Sequence, residues 1–172
     1  MILLLLFIGY NAGINKGKNV TDKQQDDAHC FRVSVSALIF EGERVLLAHR
    51  RTIDWWNLPG GAVDAGETVS EGLRREVREE TGLEIEVGQL VGVYSKPLKQ
   101  EIVLAFRCQI IGGTTDAIDD DDIDESRYFS LHDLPARTLP KHRERIIDAL
   151  LNQSQAILRD QRSSTEQDQG LV

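Results

Sequence analysis

The chain has 172 residues, 41% of them hydrophobic and 28% charged, which excludes a fully disordered chain, a collagen and a disulfide-stapled miniprotein. The 20 basic and 28 acidic residues give a net charge of -8, which argues against binding of duplex nucleic acid through its phosphates. The two cysteines form no CxxC pair and no Cys/His cluster, so we expect reduced thiols in a cytoplasmic protein.

The N-terminal region begins with an apolar segment, residues 1–8, followed by a polar stretch that predicts a flexible arm up to residue 30. A bilayer span needs about 20 apolar residues, so we expect no membrane association. A secretory signal would carry basic residues before the apolar run, and none stands there. Their absence favours an arm that packs on the domain or on a neighbour. The remaining chain predicts one domain over residues 31–158 and a loose polar tail over residues 159–172.

The domain begins with a predicted hairpin, with strands over 32–40 and 44–49 around a Glu-Gly-Glu turn. A loop with two tryptophans and a Leu-Pro-Gly-Gly break leads to the clearest helix, 68–81, which has a capping-box pattern at Thr68 and Gly82 at its end. Strands are predicted over 83–87, 90–94, 102–111 and 127–131, and a closing helix from 140 to about 158. Because helices and strands do not alternate strictly, we expect a mixed sheet with helices on its faces.

The helix over 68–81 carries three carboxylates at the border of its apolar stripe. At about 100° per residue, Glu80 falls inside that stripe, Glu76 at its edge and Glu79 on the adjoining flank. Like charges at this spacing repel one another, and burial raises the cost unless protons or cations offset it. Divalent cations such as Mg²⁺ prefer oxygen ligands, so the pattern is compatible with a metal site or with a solvated acidic face.

The segment 61–83 reads GAVDAGETVSEGLRREVREETGL. It resembles a complete Nudix box, in which Gly, Glu, Arg-Glu, Glu-Glu and Gly stand at fixed spacings. The flanking stretches WNLPGG and RYFSLHDLP are similar to those of other Nudix hydrolases, and the resemblance covers about residues 31–151.

This resemblance implies an α/β fold, a Nudix-type α/β/α sandwich with a mixed β-sheet, in which the box forms a loop–helix–loop. It also implies hydrolysis of a small nucleoside diphosphate linked to another moiety, with Mg²⁺ or Mn²⁺ as cofactor, and a homodimer by family analogy. Arg75 would hold a box glutamate by a charge-assisted hydrogen bond. The implied metal ligands are the Gly60 carbonyl, Glu76, Glu79 and Glu80, with Glu67 as a nearby carboxylate.

The residue that takes a proton from the attacking water is left open by the sequence. Glu79 is one candidate, and the acidic run over 116–125 supplies others on a loop that could close over the site. Glu125 is favoured within the run because it would share a strand face with Arg127. The alternative for this run is a solvated acidic turn.

The substrate side of the site rests on four residues outside the box. Arg50 and Arg51 could grip an outer phosphate or a ribose, and Trp55 could stack on a base, whereas Trp56 is assigned to packing. Pro97, 15 residues after Gly82, resembles the pattern of ADP-ribose hydrolases, although turn prolines are common. The leading hypothesis is therefore cleavage of ADP-ribose or another nucleotide sugar. The alternatives are a (d)NTP pyrophosphatase that cleans the nucleotide pool and a non-catalytic nucleotide-sensing domain.

Overall fold

The computed structural model describes residues 30–115 and 118–162. It contains seven strands and two α-helices: β1 (Arg32–Glu41), β2 (Arg44–Arg50), β3 (Trp55–Asn57), α1 (Val69–Thr81), β4 (Leu83–Lys96), β5 (Glu101–Gly113), β6 (Ile123–Ser130), α2 (Pro140–Leu150) and β7 (Ile157–Asp160). A 3₁₀ turn, Pro97–Lys99, connects β4 to β5. The apolar start, the arm up to residue 29 and residues 163–172 lie outside the described residues.

The strands form a mixed sheet in the order β3-β2-β1-β5-β4-β7, with β6 paired to β2. β1 runs parallel to β5 and β4 parallel to β7, while the other pairs are antiparallel. The hairpin strands β1 and β2 pair only beside their turn and then separate. The segment 58–63 fills the gap along β1, where the Ala37 and Val35 amides donate to the carbonyls of Pro59 and Gly61, both at 2.8 Å. Gly60 and Gly61, at the start of the box, are thereby placed beside the centre of the sheet.

The two helices cover opposite faces of the sheet, which confirms the predicted α/β/α sandwich. Because strand side chains alternate between faces, Leu38 of β1 packs with Ile146 of α2, while its neighbours pack with Leu73 and Val77 of α1. Each face therefore has its own apolar core, and α1 and α2 lie in different layers.

Helix α1 forms for local reasons that the sequence predicts. The Thr68 side chain accepts from the Glu71 amide and the Glu71 side chain accepts from the Thr68 amide, which completes the capping box. At the other end Gly82 adopts a left-handed conformation, φ 70°, and its amide donates to the Arg78 carbonyl.

The C-terminal part of the domain differs from the prediction. Helix α2 ends at Leu150, and Ile157 and Leu158 belong to strand β7 instead of to a longer helix. The ordered domain also extends past residue 158, because Arg159 forms an ion pair with Asp148 and Gln161 is buried. Pairing with β4 supplies partners for this backbone, a long-range contact that local polarity does not reveal.

Two further expectations can be compared with the described residues. No helix among them is long and apolar enough to cross a membrane. Cys30 and Cys108 are both free thiols, the first exposed and the second buried.

Candidate active site

Two box glutamates lie against the glycine segment between α1 and β1. Glu80 is only 7% exposed, and its Oε2 accepts a hydrogen bond of 2.7 Å from the Gly60 amide. Glu76 lies so close to Gly61 that a Cβ on this glycine would be 2.5 Å from Glu76 Oε2. Helical periodicity therefore carries both carboxylates to the border of the core, as the helix geometry predicts.

Arg75 connects the remaining carboxylates of the box. Its guanidinium donates to both oxygens of Glu67 at 2.7 and 3.0 Å, to Glu76 at 2.9 Å and to Glu79 at 3.1 Å. A further bond of 3.0 Å reaches the Ala62 carbonyl in the loop before the helix. The hydrogen bonds from Arg75 and from the Asp64 amide lower the pKa of Glu67 to about 2. One side chain thus fixes the loop and three carboxylates relative to one another.

Negative charge is concentrated at the buried end of this cluster. Burial raises the pKa of Glu80 to about 8, and the charges of Glu76 and Asp120 add to the shift while the Gly60 amide opposes it. Burial also raises the pKa of Glu76, opposed by Arg75 and reinforced by Glu79 and Asp120. A proton or a cation relieves such a concentration of like charge.

Asp120 is a site residue that the sequence did not single out. The Asp119 amide donates to the Glu79 carbonyl at 2.8 Å, which attaches the acidic loop to the end of α1. Asp120 Oδ1 accepts from the amides of Asp122 and Ile123 at 2.7 and 3.0 Å. The acidic run over 116–125 was the feature of the sequence that pointed to this loop. Its composition does not say which of its acids lies beside α1.

The acidic loop is held by the end of strand β2 and is not merely a solvated turn. Arg50 Nε donates to Asp122 Oδ2 at 2.7 Å, and the Thr52 hydroxyl donates to Asp122 Oδ1 at 2.5 Å. The Arg51 amide donates to the Asp122 carbonyl at 2.8 Å, and its guanidinium donates to the Asp121 carbonyl. These contacts fix the loop that carries Asp120.

Glu125 does not join the box carboxylates, contrary to the expectation that made it a candidate base. It does share a strand face with Arg127, whose Nε lies 3.2 Å from Glu125 Oε1. That face packs toward α2, because the Arg127 guanidinium covers the rings of Trp56 and Phe129 in the core on that side. The shared face follows from the two-residue spacing, whereas the layer that it faces depends on the pairing of β6 with β2, in which Arg127 lies opposite Leu47 of the core on the α2 side.

The expected metal-ligand set is only partly assembled. Among residues 30–115 and 118–162, no group of three or more acidic, His or Cys side chains is already arranged around a metal position. Arg75 holds Glu67 and Glu79, and Gly60 contacts Glu80 through its amide. The donors nevertheless suit a hard divalent cation, because they are carboxylate oxygens. The buried side chains of Glu76 and Glu80 repel one another, and the acidic loop adds a third carboxylate, that of Asp120.

A cleft with a volume of about 310 Å³ opens beside Gly60 and Gly61. Its lining is strongly basic although the chain is acidic overall. The cationic side chains in the lining are Arg32, Arg50, Lys96, Lys99 and Arg145. Because the same glycines contact Glu76 and Glu80, the basic cleft and the carboxylates form one continuous site.

The structure brings only one of the four predicted substrate residues into this cleft. Arg50 is part of the lining, whereas Arg51, Trp55 and Pro97 are not. Pro97 starts the 3₁₀ turn and borders a different groove, beside Arg159. Trp56 is buried and packs edge-on against Phe129, which confirms its assignment to packing.

The sequence missed the cleft residues that come from β4 and α2. Lys96, His142 and Arg145 gave no signal, because basic residues at strand ends and on helix surfaces usually face solvent. His142 Nδ1 accepts from the Leu58 amide at 2.9 Å. Burial, reinforced by Arg145, Lys96 and other cations, keeps the pKa of His142 well below its usual value, so this side chain is neutral.

Gly60 and Gly61, at the start of the box, predict a contrast between neighbouring substitutions. A Cβ on Gly60 would lie 2.2 Å from the Val35 carbonyl oxygen, at a φ of 137°, so Gly60→Ala should lower the free energy of unfolding by roughly 2 kcal/mol or more. The three atoms nearest to a Cβ on Gly61 all belong to the end of the Glu76 side chain, so Gly61→Ala should leave stability nearly unchanged while reducing activity. Denaturant unfolding and initial rates on both variants test this, and equal destabilisation would contradict it.

Comparison with known proteins agrees with the architecture. A family model for the NUDIX domain matches residues 31–150. An ADP-ribose pyrophosphatase from Methanocaldococcus jannaschii is 39% identical over 110 residues, 60% of this chain and 64% of that protein. A putative 8-oxo-dGTP diphosphatase from Bacillus subtilis is 34% identical over 108 residues, 63% of this chain and 72% of that protein. The structure of a NUDIX hydrolase from Nitrosomonas europaea matches with a TM-score of 0.66 and 25% identity, covering 72% of this chain and 90% of that one.

The fold and the site define an α/β/α protein with a carboxylate-bearing loop–helix–loop beside a basic cleft. Since the family model spans most of the described domain, the chain belongs to the NUDIX family. The chain spans less than two thirds of the ADP-ribose pyrophosphatase that it matches. Nudix hydrolases are generally dependent on divalent metal ions.

Proposed function

We propose that this protein is a Mg²⁺-dependent hydrolase that cleaves the diphosphate linkage of a nucleoside diphosphate joined to another moiety, with ADP-ribose or another nucleotide sugar as substrate. The observation that carries the proposal is the buried Glu80, which is repelled by Glu76 and Asp120 and is bound to the amide of Gly60, a residue that lines the basic cleft. The relative named ADP-ribose pyrophosphatase supports the substrate class.

Each part of the site has a separate role in this proposal. Glu76, Glu79 and Glu80 would hold the metal ion, for which Mn²⁺ can substitute, and Arg75 orients two of them. The bound ion would neutralise the diphosphate and activate the attacking water. Arg50 lines the cleft and can bind a phosphate oxygen of the substrate.

The proton of the attacking water has two candidate acceptors on this chain. Glu79 is one, and Asp120 takes the place that the sequence gave to Glu125. The two differ in what binds them: the Arg75 guanidinium engages Glu79, whereas the backbone amides of Asp122 and Ile123 bind Asp120 Oδ1.

A second candidate function is a (d)NTP pyrophosphatase of the nucleotide-pool type. The cationic lining of the cleft favours a highly charged substrate, and a relative is named a putative 8-oxo-dGTP diphosphatase. In either case we propose a cytoplasmic enzyme that acts on free small nucleotides as a homodimer.

Product analysis with Mg²⁺ tests the proposed function. We expect ADP-ribose to give AMP and ribose 5-phosphate, activity to disappear with EDTA, and activity to return with Mg²⁺ or Mn²⁺. Faster release of pyrophosphate from a triphosphate would select the second candidate. Nucleotide binding without turnover would instead indicate a nucleotide-sensing domain, and activity that persists in EDTA would contradict the metal mechanism.

A further inference from the structure

Asp122 lies where the basic cleft and the acidic loop meet. Its Oδ2 accepts a hydrogen bond of 2.7 Å from Arg50 Nε, and Arg50 Nη2 lies 2.5 Å from the same oxygen. Its Oδ1 accepts from the Thr52 hydroxyl at 2.5 Å and from the Thr52 amide at 3.2 Å. Arg50 lines the cleft, and Asp120 precedes Asp122 by two residues in the loop. One carboxylate therefore links the cleft to the loop that carries Asp120.

The Thr52 side of Asp122 attaches the loop to the sheet. The hydroxyl and the amide of Thr52 bind the same oxygen, and this short side chain fixes Asp122 close to the backbone that follows β2. The Arg51 amide donates to the Asp122 carbonyl at 2.8 Å. The next residue, Ile123, begins β6 and is 4% exposed. The chain is thus anchored directly after Asp120.

Asp120 takes its position from this anchor. Its Oδ1 accepts from the amides of Asp122 and Ile123 at 2.7 and 3.0 Å, so its carboxylate is tied to the anchored residues. Burial is the largest cause of the raised pKa of Glu76 and of Glu80, and the charge of Asp120 adds to both shifts. Asp120 therefore lies within electrostatic reach of the proposed metal ligands, and a displaced Asp122 should move it.

The Arg50 side of Asp122 orients a cation of the cleft. The Arg50 side chain is long and 45% exposed, so it loses conformational freedom when it is held in one orientation. An ion pair at such a site adds little to stability, but two contacts with one carboxylate select one orientation of the guanidinium. These contacts use Nε and Nη2, which leaves the Nη1 donors for an oxygen of the substrate.

We propose that Asp122 is a positioning residue for the hydrolysis. Through Thr52 it holds Asp120 beside the box glutamates, and it orients Arg50 toward a phosphate oxygen of the substrate. Asp122 itself takes no proton and binds no substrate atom. The inference rests on the proposed function, with Asp120 as the proton acceptor, because it assigns a role in the same reaction. The kcat then depends on Asp122 through Asp120, and the KM depends on it through Arg50.

Steady-state kinetics in Mg²⁺, with ADP-ribose and with dGTP, separate the two contacts. Asp122→Ala removes both and should lower kcat about tenfold or more while raising KM about threefold or more. Thr52→Val removes the hydroxyl bond but keeps the Arg50–Asp122 pair, so kcat should fall about threefold with KM changed less than about twofold. Thr52→Ser retains the hydroxyl and should have the wild-type kcat.

Asp121→Ala is the matched control for charge. It removes one carboxylate from the same loop, but the side chain is exposed, and the Asp121 carbonyl that accepts from Arg51 remains. Its kcat and KM should change less than about twofold. Equal effects of Asp121→Ala and Asp122→Ala would mean that only the charge of the loop matters, which would overturn the inference.

A double-mutant cycle tests whether Asp122 acts through Asp120. In the Asp120→Asn background the proton acceptor is already absent, so Asp122→Ala should lower kcat less than about twofold further, whereas independent effects would multiply. The rise in KM should persist, because Arg50 still loses its partner. Multiplied effects on kcat, or full activity of Asp120→Asn, would overturn the inference. Should Asp122→Ala fail to fold, the same cycle with Thr52→Val decides.

Failure of this inference is distinguishable from failure of the proposed function. Turnover by the wild type that Asp122→Ala and Thr52→Val leave unchanged would overturn only the inference, while a wild type without turnover would overturn both. Hydrogen exchange of the Asp122 and Ile123 amides reports on the anchor without turnover. Thr52→Val should speed it about threefold or more, and unchanged exchange would mean that Thr52 does not hold Asp120 in place.

Discussion

Glu80→Gln should remove most of the catalytic activity and at the same time stabilise the metal-free protein. The amide retains an oxygen that can accept the 2.7 Å bond from the Gly60 amide, so the fold survives. The lost carboxylate is a proposed metal ligand, and kcat should fall by at least about a hundredfold. Steady-state rates in Mg²⁺ and denaturant unfolding in EDTA measure the two effects on one preparation.

The stabilisation should depend on pH in a defined direction. Burial, with the charges of Glu76 and Asp120, raises the pKa of Glu80 to about 8 from 4.5, so the folded protein holds a proton that the unfolded chain has released. The free energy of unfolding of the metal-free wild type should therefore fall as the pH rises from 4.5 to 8, by an amount on the order of a few kcal/mol. Glu80→Gln should remove the Glu80 contribution to that slope and be the more stable protein above pH 8.

The exposed Glu86 on β4 provides a matched control, because Glu86→Gln also removes one carboxylate and should alter neither kcat nor the slope. Asp120→Asn should reduce the slope without abolishing it, since burial remains the largest cause of the shift. Full activity in Glu80→Gln would mean that the metal-ligand assignment is wrong, and an unchanged pH slope would mean that Glu80 is not the group that titrates.

Arg75→Met should damage both activity and stability, in contrast to Glu80→Gln. The substitution leaves Glu67, Glu76 and Glu79 without the guanidinium that now binds all three. Because these groups are only partly buried, we expect a loss of about 1–3 kcal/mol in the free energy of unfolding. Loss of carboxylate orientation should lower kcat by at least about ten- to a hundredfold.

Thermal unfolding and initial rates in Mg²⁺ measure these losses. Arg74→Met is the matched control, since Arg74 precedes it on α1 but is exposed, and its loss should change both quantities little. Arg75→Lys keeps the charge but not the fork of donors, and should recover stability better than activity. Similar behaviour of the Arg74 and Arg75 variants would contradict the central position of Arg75.

The expectations drawn from local pattern were fulfilled where one helix or one turn determines the outcome. The burial of Glu80 follows from its angular distance to Leu73 and Val77, and the ends of α1 follow from Thr68 and Gly82. Expectations were less reliable where they depended on which layer a strand face is turned toward, or on which residues from other elements lie nearby. Glu125 shares a face with Arg127 as predicted, yet that face belongs to the other layer.

The helix with its caps and the placement of Glu76, Glu79 and Glu80 could be predicted from the sequence, because the 3.6-residue period relates those positions within one element. The α/β class followed from the mixture of strand and helix patterns along the chain. The tertiary fold brings Asp120 near them, lets Arg75 connect three carboxylates, and places Lys96 and Arg145 around one cleft. These residues come from separate strands, helices and loops. Their meeting depends on strand register, on a bulge in β6 and on the pairing of β7, which are set by packing across the whole domain.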